Sequence, residues 1–247
     1  MSLRFTVVSY NIHGCVGRDR TRDADRVAEI LRGLEADIIG LQEVDTHSGP
    51  GLDSAQMDYL PHATGLHAAR GPLLARHHGH YGNLLLTPFP ILAVRHIDLS
   101  IGRHEPRGAL DVDVRLPQGV VRVVVTHFGL LPWERRAQAL RLMAALKQPF
   151  GAPLVVMGDF NEWLPFSRSL HPLHETLHGA GKTPATYPAF FPVLPLDRIF
   201  VSPAEARIEL TAETTHVTRV CSDHLPLRAM ITLPERGSPY PPNENPP

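Results

Sequence analysis

Two cysteines, Cys15 and Cys221, are the only thiols among 247 residues, too few and too far apart for a disulfide framework or a zinc-type site. Both lie close in sequence to other chemistry-bearing residues. A pairing between them therefore stays open beside the reading of two free thiols in a reducing compartment. No apolar run is long enough to span a bilayer, and Met1-Ser2-Leu3-Arg4 leads at once into a strand-like run, with no room for a signal peptide. These absences lead us to expect a soluble cytoplasmic protein. An excess of charge of either sign is also missing, since 24 Lys plus Arg stand against 25 Asp plus Glu. No overall basic field marks a nucleic-acid binder, although a local patch can serve one. The composition, 43% hydrophobic and 20% charged, is that of an ordinary globular protein. No linker-like stretch divides the middle, so one domain is expected over 1–233. The proline-rich segment 234–247 has almost no apolar bulk and reads as a disordered tail.

What the chain does have is a recurring junction. The apolar run from Leu154 to Met157 reads as a buried strand, and Gly158, Asp159 and Asn161 follow it directly. Gly158 turns without a Cβ penalty, so Asp159 and Asn161, two apart on an extended segment, can point the same way. The plain alternative is an Asx-turn in which both side chains bond their own backbone. The pattern recurs where Val7 to Tyr10 runs into Asn11, Ile38 to Gln42 into Glu43, and Val123 to Thr126 into His127. Later come Leu196-Asp197-Arg198-Ile199-Phe200 and Ser222-Asp223-His224-Leu225-Pro226. Each junction sets an acid, a base or a metal ligand at a strand end, where open sheets keep their active residues. A lone His127 reads as a satisfied core histidine, but Asp197 and His224 alongside reverse that weighting, while Asp223 could serve as a loop cap. Glu43 is hardest to assign to packing, since a carboxylate near a core is costly without a partner or metal.

Between the junctions, helices are expected over 23–34, capped by Asp23 with Val27, Ile30, Leu31 and Leu34 facing inward, and over 54–60. A third is expected over 132–146, with Pro132 in the first turn and Ala139, Leu142, Met143 and Leu146 inward. Strands are expected over 5–10, 37–44, 82–87, 91–99, 109–116, 120–127, 198–202, 207–213 and 226–233. Asp111, Asp113 and Arg115 alternate with valines and read as a water-facing strand surface. Segment 67–80, with His67, His77, His78 and His80, lacks metal-site spacing and reads as a solvated loop near a substrate entrance. The segment holding Tyr187, Phe190 and Phe191 either packs under a long loop or forms an apolar rim.

Seven stretches in order together resemble the signature segments of the endonuclease/exonuclease/phosphatase superfamily, which includes deoxyribonuclease I. They are Ser9-Tyr10-Asn11-Ile12, Leu41-Gln42-Glu43-Val44, Gly82-Asn83-Leu84-Leu85-Leu86, Thr126-His127-Phe128, Gly158-Asp159-Phe160-Asn161, Leu196-Asp197-Arg198-Ile199 and Ser222-Asp223-His224. The likeness is nearest to small bacterial members of unassigned substrate. It implies a mixed α/β (α+β) fold, a four-layer αββα sandwich of two packed mixed sheets flanked by helices. It also implies a phosphoester hydrolase, in which Glu43, Asn11 and Asp223 hold Mg²⁺, or Mn²⁺ in its place. Asp159 would activate water or hold a second metal, and Asn161 would donate to a phosphoryl oxygen. Asp197 would orient His224, His127 would assist the leaving oxygen, Asn83 would add a hydrogen bond, and Arg107 would face substrate phosphate. A monomer is expected. Near-neutral charge and the Tyr187 to Phe191 rim favour a small or lipid-headgroup phosphoester over nucleic acid. A DNA or RNA nuclease is the alternative, and a non-catalytic binding module of the same fold is the alternative of another class.

Overall fold

Runs rich in Val, Ile and Leu form the strands, and amphipathic segments between them form the helices. A computed structural model of the chain describes residues 3–45, 56–72, 81–146, 151–164 and 167–234. In order, the elements are β1 (Leu3–Asn11), a 3-10 turn (His13–Cys15), α1 (Ala24–Gly33), β2 (Ile38–Asp45), α2 (Gln56–Thr64), β3 (His67–Pro72), β4 (Tyr81–Thr87), β5 (Ile91–Asp98) and β6 (Gly108–Leu116). They continue with β7 (Gly119–His127), α3 (Pro132–Leu146), β8 (Leu154–Asp159), α4 (His171–His174), β9 (His178–Gly179), β10 (Asp197–Ser202), β11 (Arg207–Ala212), α5 (Thr218–Cys221) and β12 (Leu227–Leu233). The strands make two six-stranded mixed sheets, ordered β11-β12-β1-β2-β4-β3 and β5-β6-β7-β8-β10-β9. No helix among the described residues is long and apolar enough to cross a membrane.

Strand alternation builds the layers. In β8, Val155 and Met157 face the opposing sheet, whereas Leu154 and Val156 face α3. In β1, Phe5 and Val7 join the core between the sheets, and Val8 and Tyr10 pack with Val27 and Leu31 of α1. The expected αββα sandwich is therefore the observed one. The Asp23 carboxylate caps α1 through the Arg26 amide at 2.9 Å.

Each sheet has one parallel pair at its centre. β1 runs beside β2, with Asn11 opposite Gln42, and β7 runs beside β8, with His127 opposite Asp159. Both pairs end at the same rim, and antiparallel β4, β10 and β12 begin there. The inward parity of Val155 and Met157 continues to Asp159, that of Val123 and Val125 to His127, and that of Ile199 and Val201 back to Asp197.

Several expectations are corrected. Segment 67–80 is not a loop throughout, because His67–Pro72 pairs with β4 along its length; His77, His78 and His80 lie outside the described residues. So do the start of the helix expected at 54 and the tail beyond 234. Asp111 is not a surface carboxylate: it is buried, held by Arg95 at 2.8 and 3.0 Å and by Arg122 at 2.9 and 2.6 Å. Alternation had placed it on the outer face, but arginines from the two neighbouring strands close over it. Gly158 lies within β8 rather than in a turn, and a Cβ there would sit 1.9 Å from the Thr126 carbonyl oxygen. Close approach of β7 and β8 is what demands glycine.

Burial opposes ionisation of Asp111, yet bonds from Arg122 and Arg95 hold its pKa below the ordinary value. Its contribution to stability is thus present above the ordinary carboxylate range and lost as pH falls through the lowered folded value. Arg122→Met should cost roughly 3 kcal/mol at neutral pH, and urea unfolding should show the difference from wild type shrinking in acid. Gly158→Ala should destabilise by at least about 2 kcal/mol through overpacking against backbone, measured the same way.

Candidate active site

A cavity of about 470 Å³ opens at the shared rim, lined among others by Glu43, Arg107, His127, Asp159, Asn161, Asp223 and His224. Asp159 lies at its floor, almost wholly buried. Its two oxygens face different partners. Oδ1 accepts the Asn161 amide at 2.8 Å, closing the Asx-turn, while Oδ2 accepts from Asn11 Nδ2 at 3.0 Å. Oδ2 also lies 3.5 Å from His224 Nε2 and 3.6 Å from His127 Nε2. The structural turn and the chemical role thus coexist in one carboxylate. Asn161 is not extended, however: its φ of 52° places it in the left-handed region, and its Nδ2 donates to the Phe128 carbonyl at 2.9 Å. One of its two amide hydrogens is thereby committed.

Glu43 reaches the cavity through a bulge. The β2–β4 register shifts between Leu41 and Val44, and Glu43 has φ of 54°. Unbroken alternation would send Glu43 outward with Ile39 and Leu41, toward α1 and α2. The bulge turns it inward, half-buried, where Asn11 Nδ2 donates to its Oε1 at 2.9 Å. The Asn11 carbonyl oxygen of the side chain accepts the His13 amide at 3.0 Å, and the Ser222 hydroxyl donates to the Asn11 main-chain carbonyl at 2.7 Å. Asp223 follows Ser222 on the approach to β12 and lines the same cavity.

His224 is sandwiched between carboxylates. Its Nδ1 lies 2.8 Å from Asp197 Oδ2, which also accepts the Thr186 hydroxyl at 2.6 Å. Tyr187 packs its ring 5.0 Å from the imidazole. Burial works against the imidazolium, but Asp197 and Asp159 outweigh it and raise the pKa to about 10. Burial also pushes Asp159 up to about 6, with His224 opposing and Asp197 adding to the rise. His127 goes the other way: burial, then Arg107 and His224, hold it well below the ordinary value. Arg107 Nη1 lies 3.0 Å from His127 Nδ1, and a guanidinium can only donate. Nδ1 therefore accepts from Arg107, while Nε2 lies 3.2 Å from Asn161 Nδ2 and 3.6 Å from Asp159 Oδ2 at the cavity floor.

Arg107, just before β6, is buried, and its Nη2 pairs with Glu105 at 2.7 Å. Asn83 sits at the start of β4 and donates to the Gly108 carbonyl at 2.9 Å, bracing the segment that carries Arg107. It lines a smaller neighbouring pocket together with Glu43, Arg107 and His127. All ten residues singled out from the sequence thus gather at one rim. Tyr81, Glu105 and Thr186 also serve the site without a strand-end signal, and so does Ser222, which lies in a quoted junction but had no role assigned to it. Cys15 and Cys221 are both free and buried.

The Endonuclease/Exonuclease/phosphatase family model matches residues 8–224. The chain belongs to this family. Over 93% of its length it is 33% identical to the uncharacterized protein YbhP of Escherichia coli K12, and the match covers 96% of that protein. Its fold is similar to that of an endonuclease/exonuclease/phosphatase from Beutenbergia cavernae DSM 12333, with a TM-score of 0.76, 23% identity, and 93% of this chain and 72% of that one covered. It is also similar to mannosyl-6-phosphatase Bt3783 of Bacteroides thetaiotaomicron VPI-5482, with a TM-score of 0.71, 19% identity, and 92% and 99% covered. The family holds endonucleases, exonucleases and phosphatases, which are hydrolases of phosphoesters.

The Thr186 hydroxyl is the one neutral side chain seen bonding Asp197. Thr186→Val should cost about 1–3 kcal/mol in urea unfolding by leaving a buried carboxylate oxygen without that bond, and Thr186→Ser should recover most of the loss.

Proposed function

We propose that the protein is a divalent-cation-dependent phosphoester hydrolase acting on a small or lipid-headgroup phosphoester. One cavity that brings Asp159 Oδ2 within reach of Asn11, His127 and His224, with Arg107 at its wall, supports this reading most. Anionic groups alternate with fixed donors there, the pattern needed to bind a phosphate and deliver water to it.

The donor chemistry suits a hard cation. Mg²⁺ takes one or two carboxylates and leaves positions for water and phosphate, which suits the Glu43 and Asp223 carboxylates at the cavity wall. Glu43 and Asp223 would hold it, while Asn11, expected as a third ligand, turns its side-chain oxygen to the His13 amide and its Nδ2 to Glu43 and Asp159 and so would brace the carboxylates; Mn²⁺ would suit the same carboxylates. Such an ion neutralises charge on the phosphoryl group.

The remaining roles fall to the chain's own side chains. Asp159 Oδ2 accepts the proton of the attacking water, and the Asn11 amide keeps that oxygen aimed into the cavity. His224, held as imidazolium by Asp197, donates through Nε2 to a phosphoryl oxygen. His127, with Nε2 at the cavity floor beside Asp159 and Asn161, would assist the departing oxygen, and Arg107 on its Nδ1 adds positive charge. Arg107 Nε is buried with no hydrogen-bond partner, a donor left over for an anionic ligand. Asn161, whose Nδ2 lies 2.9 Å from the Phe128 carbonyl and 3.2 Å from His127 Nε2, would turn its amide to a phosphoryl oxygen by exchanging the histidine contact, and Asn83 acts by positioning the Arg107 segment.

Glu43→Ala and His224→Ala should each lower Mg²⁺-supported hydrolysis of bis(4-nitrophenyl) phosphate by roughly 10³-fold or more, with unfolding midpoints close to wild type. Chelation of divalent cations should stop wild-type turnover, and re-addition of Mg²⁺ should restore it. Undiminished turnover in purified Glu43→Ala would refute the assignment.

A further inference from the structure

The loops that carry the site also carry the largest exposed apolar side chains of the described chain. Leu130, Leu131 and Trp133 follow β7, Trp163 and Leu164 follow β8, and Phe191 precedes β10; Leu130 is 70% exposed and Phe191 69%. Surface apolar residues are ordinarily scattered singly. Here Leu130 and Trp163 line the cavity itself, with the less exposed Tyr187 and Leu194, and Leu131, Trp133, Leu164 and Phe191 lie within a few residues of them along the chain.

Buried polar bonds beneath hold these side chains outward. Arg135 donates to the Leu130 carbonyl at 2.5 Å and pairs with Glu162 at 3.1 Å, joining the two loops after β7 and β8. Arg198 donates to the carbonyls of Glu162 and Leu164 at 2.9 and 3.3 Å. The segment before β10 is folded back on itself, with Tyr187 and Leu194 amides and carbonyls bonded to each other. Positive groups interleave with the rings. The Arg18 guanidinium lies 4.3 Å over Phe190, Arg219 donates to the Phe190 carbonyl at 2.7 Å, and His104 packs 5.0 Å from Trp133. Arg136 and Arg168 are exposed on the side of Leu164, joined by a bond of 2.9 Å.

Building on the hydrolase reading, we propose that this face docks on an anionic phospholipid bilayer. Trp, Phe and Leu side chains enter the boundary between headgroups and acyl chains, the arginines meet lipid phosphates, and a headgroup phosphoester is brought to the cavity mouth. A nucleic acid would use the arginines and rings but has no use for Leu130, Leu131 and Leu164.

The test is co-sedimentation with vesicles of phosphatidylcholine and phosphatidylglycerol in equal parts, against phosphatidylcholine alone, with bis(4-nitrophenyl) phosphate turnover followed in parallel. Wild type should pellet with the anionic vesicles, and Leu131→Ser/Trp133→Ser/Phe191→Ser should bind them at least about tenfold more weakly while hydrolysing the soluble ester as wild type does. Wild type left in the supernatant with anionic vesicles, or a triple variant that binds them equally well, would overturn the docking surface. Salt-sensitive binding to a single-stranded oligonucleotide, lost in the triple variant and without vesicle binding, would overturn it in favour of nucleic acid. Vesicle binding by a wild type with no soluble turnover would uphold the surface and overturn the hydrolase assignment instead.

Discussion

The amide of Asn11 holds together carboxylates from opposite sheets. Glu43 comes from β2 and Asp159 from β8, and at this spacing their charges repel strongly in a buried setting. Asn11 Nδ2 gives one hydrogen to each, at 2.9 and 3.0 Å, so the sheets close over the site without leaving either oxygen unsatisfied. The rest of the rim depends on that closure. Once Asp159 is fixed, its free face can meet His224 and His127. Asp197 and Asp159 keep His224 charged against its burial, whereas burial, with Arg107 and His224 adding to it, holds the His127 pKa well below the ordinary value. Two imidazoles in the same cavity are therefore driven to opposite charge states.

A second layer of polar contacts makes the loops around the cavity stiff. Glu162 is buried among Arg135, Ser167 and Ser169, and its backbone carbonyl is held by Arg198. Such a network is costly to leave half-satisfied, so its members act as a unit. This allows Trp163 and Leu164 to remain on the surface when nearby core could have received them. Binding energy is then available at the mouth of the cavity while the catalytic side chains beneath stay in place.

Much of the fold was legible in the sequence because burial imposes periodicity. The helix at Pro132–Leu146 and the strand at Leu154–Asp159 follow from apolar spacing and from a proline tolerated at the first helical position. Asn11, Glu43, His127, Asp159 and Asp197 were legible for a related reason, each standing at the last or first position of an apolar run, whereas Asn83 and Arg107 were reached only through the family resemblance. Asp111 was misjudged because alternation reports which face a residue occupies but not what covers that face, and Arg95 and Arg122 come from other strands. The strand at His67–Pro72 carries no large apolar side chain to announce it; it is placed by pairing with β4, with Ala69 buried between the sheets. Thr186 gives no strand-end signal, and Ser222 no role within its junction, since a hydroxyl's importance depends on the carboxylate or carbonyl it meets.

Taken alone, the chain determined its layers, most of its elements and the residue types delivered to strand ends, because these follow from local spacing and solvent exclusion. Tertiary structure decided which of those ends meet, that a bulge turns Glu43 inward against its natural parity, which imidazole is charged, and that the apolar loops border a single cavity. Those outcomes rest on contacts between segments up to about two hundred residues apart, such as the Ser222 hydroxyl on the Asn11 carbonyl at a separation of 211, and no local pattern encodes such contacts.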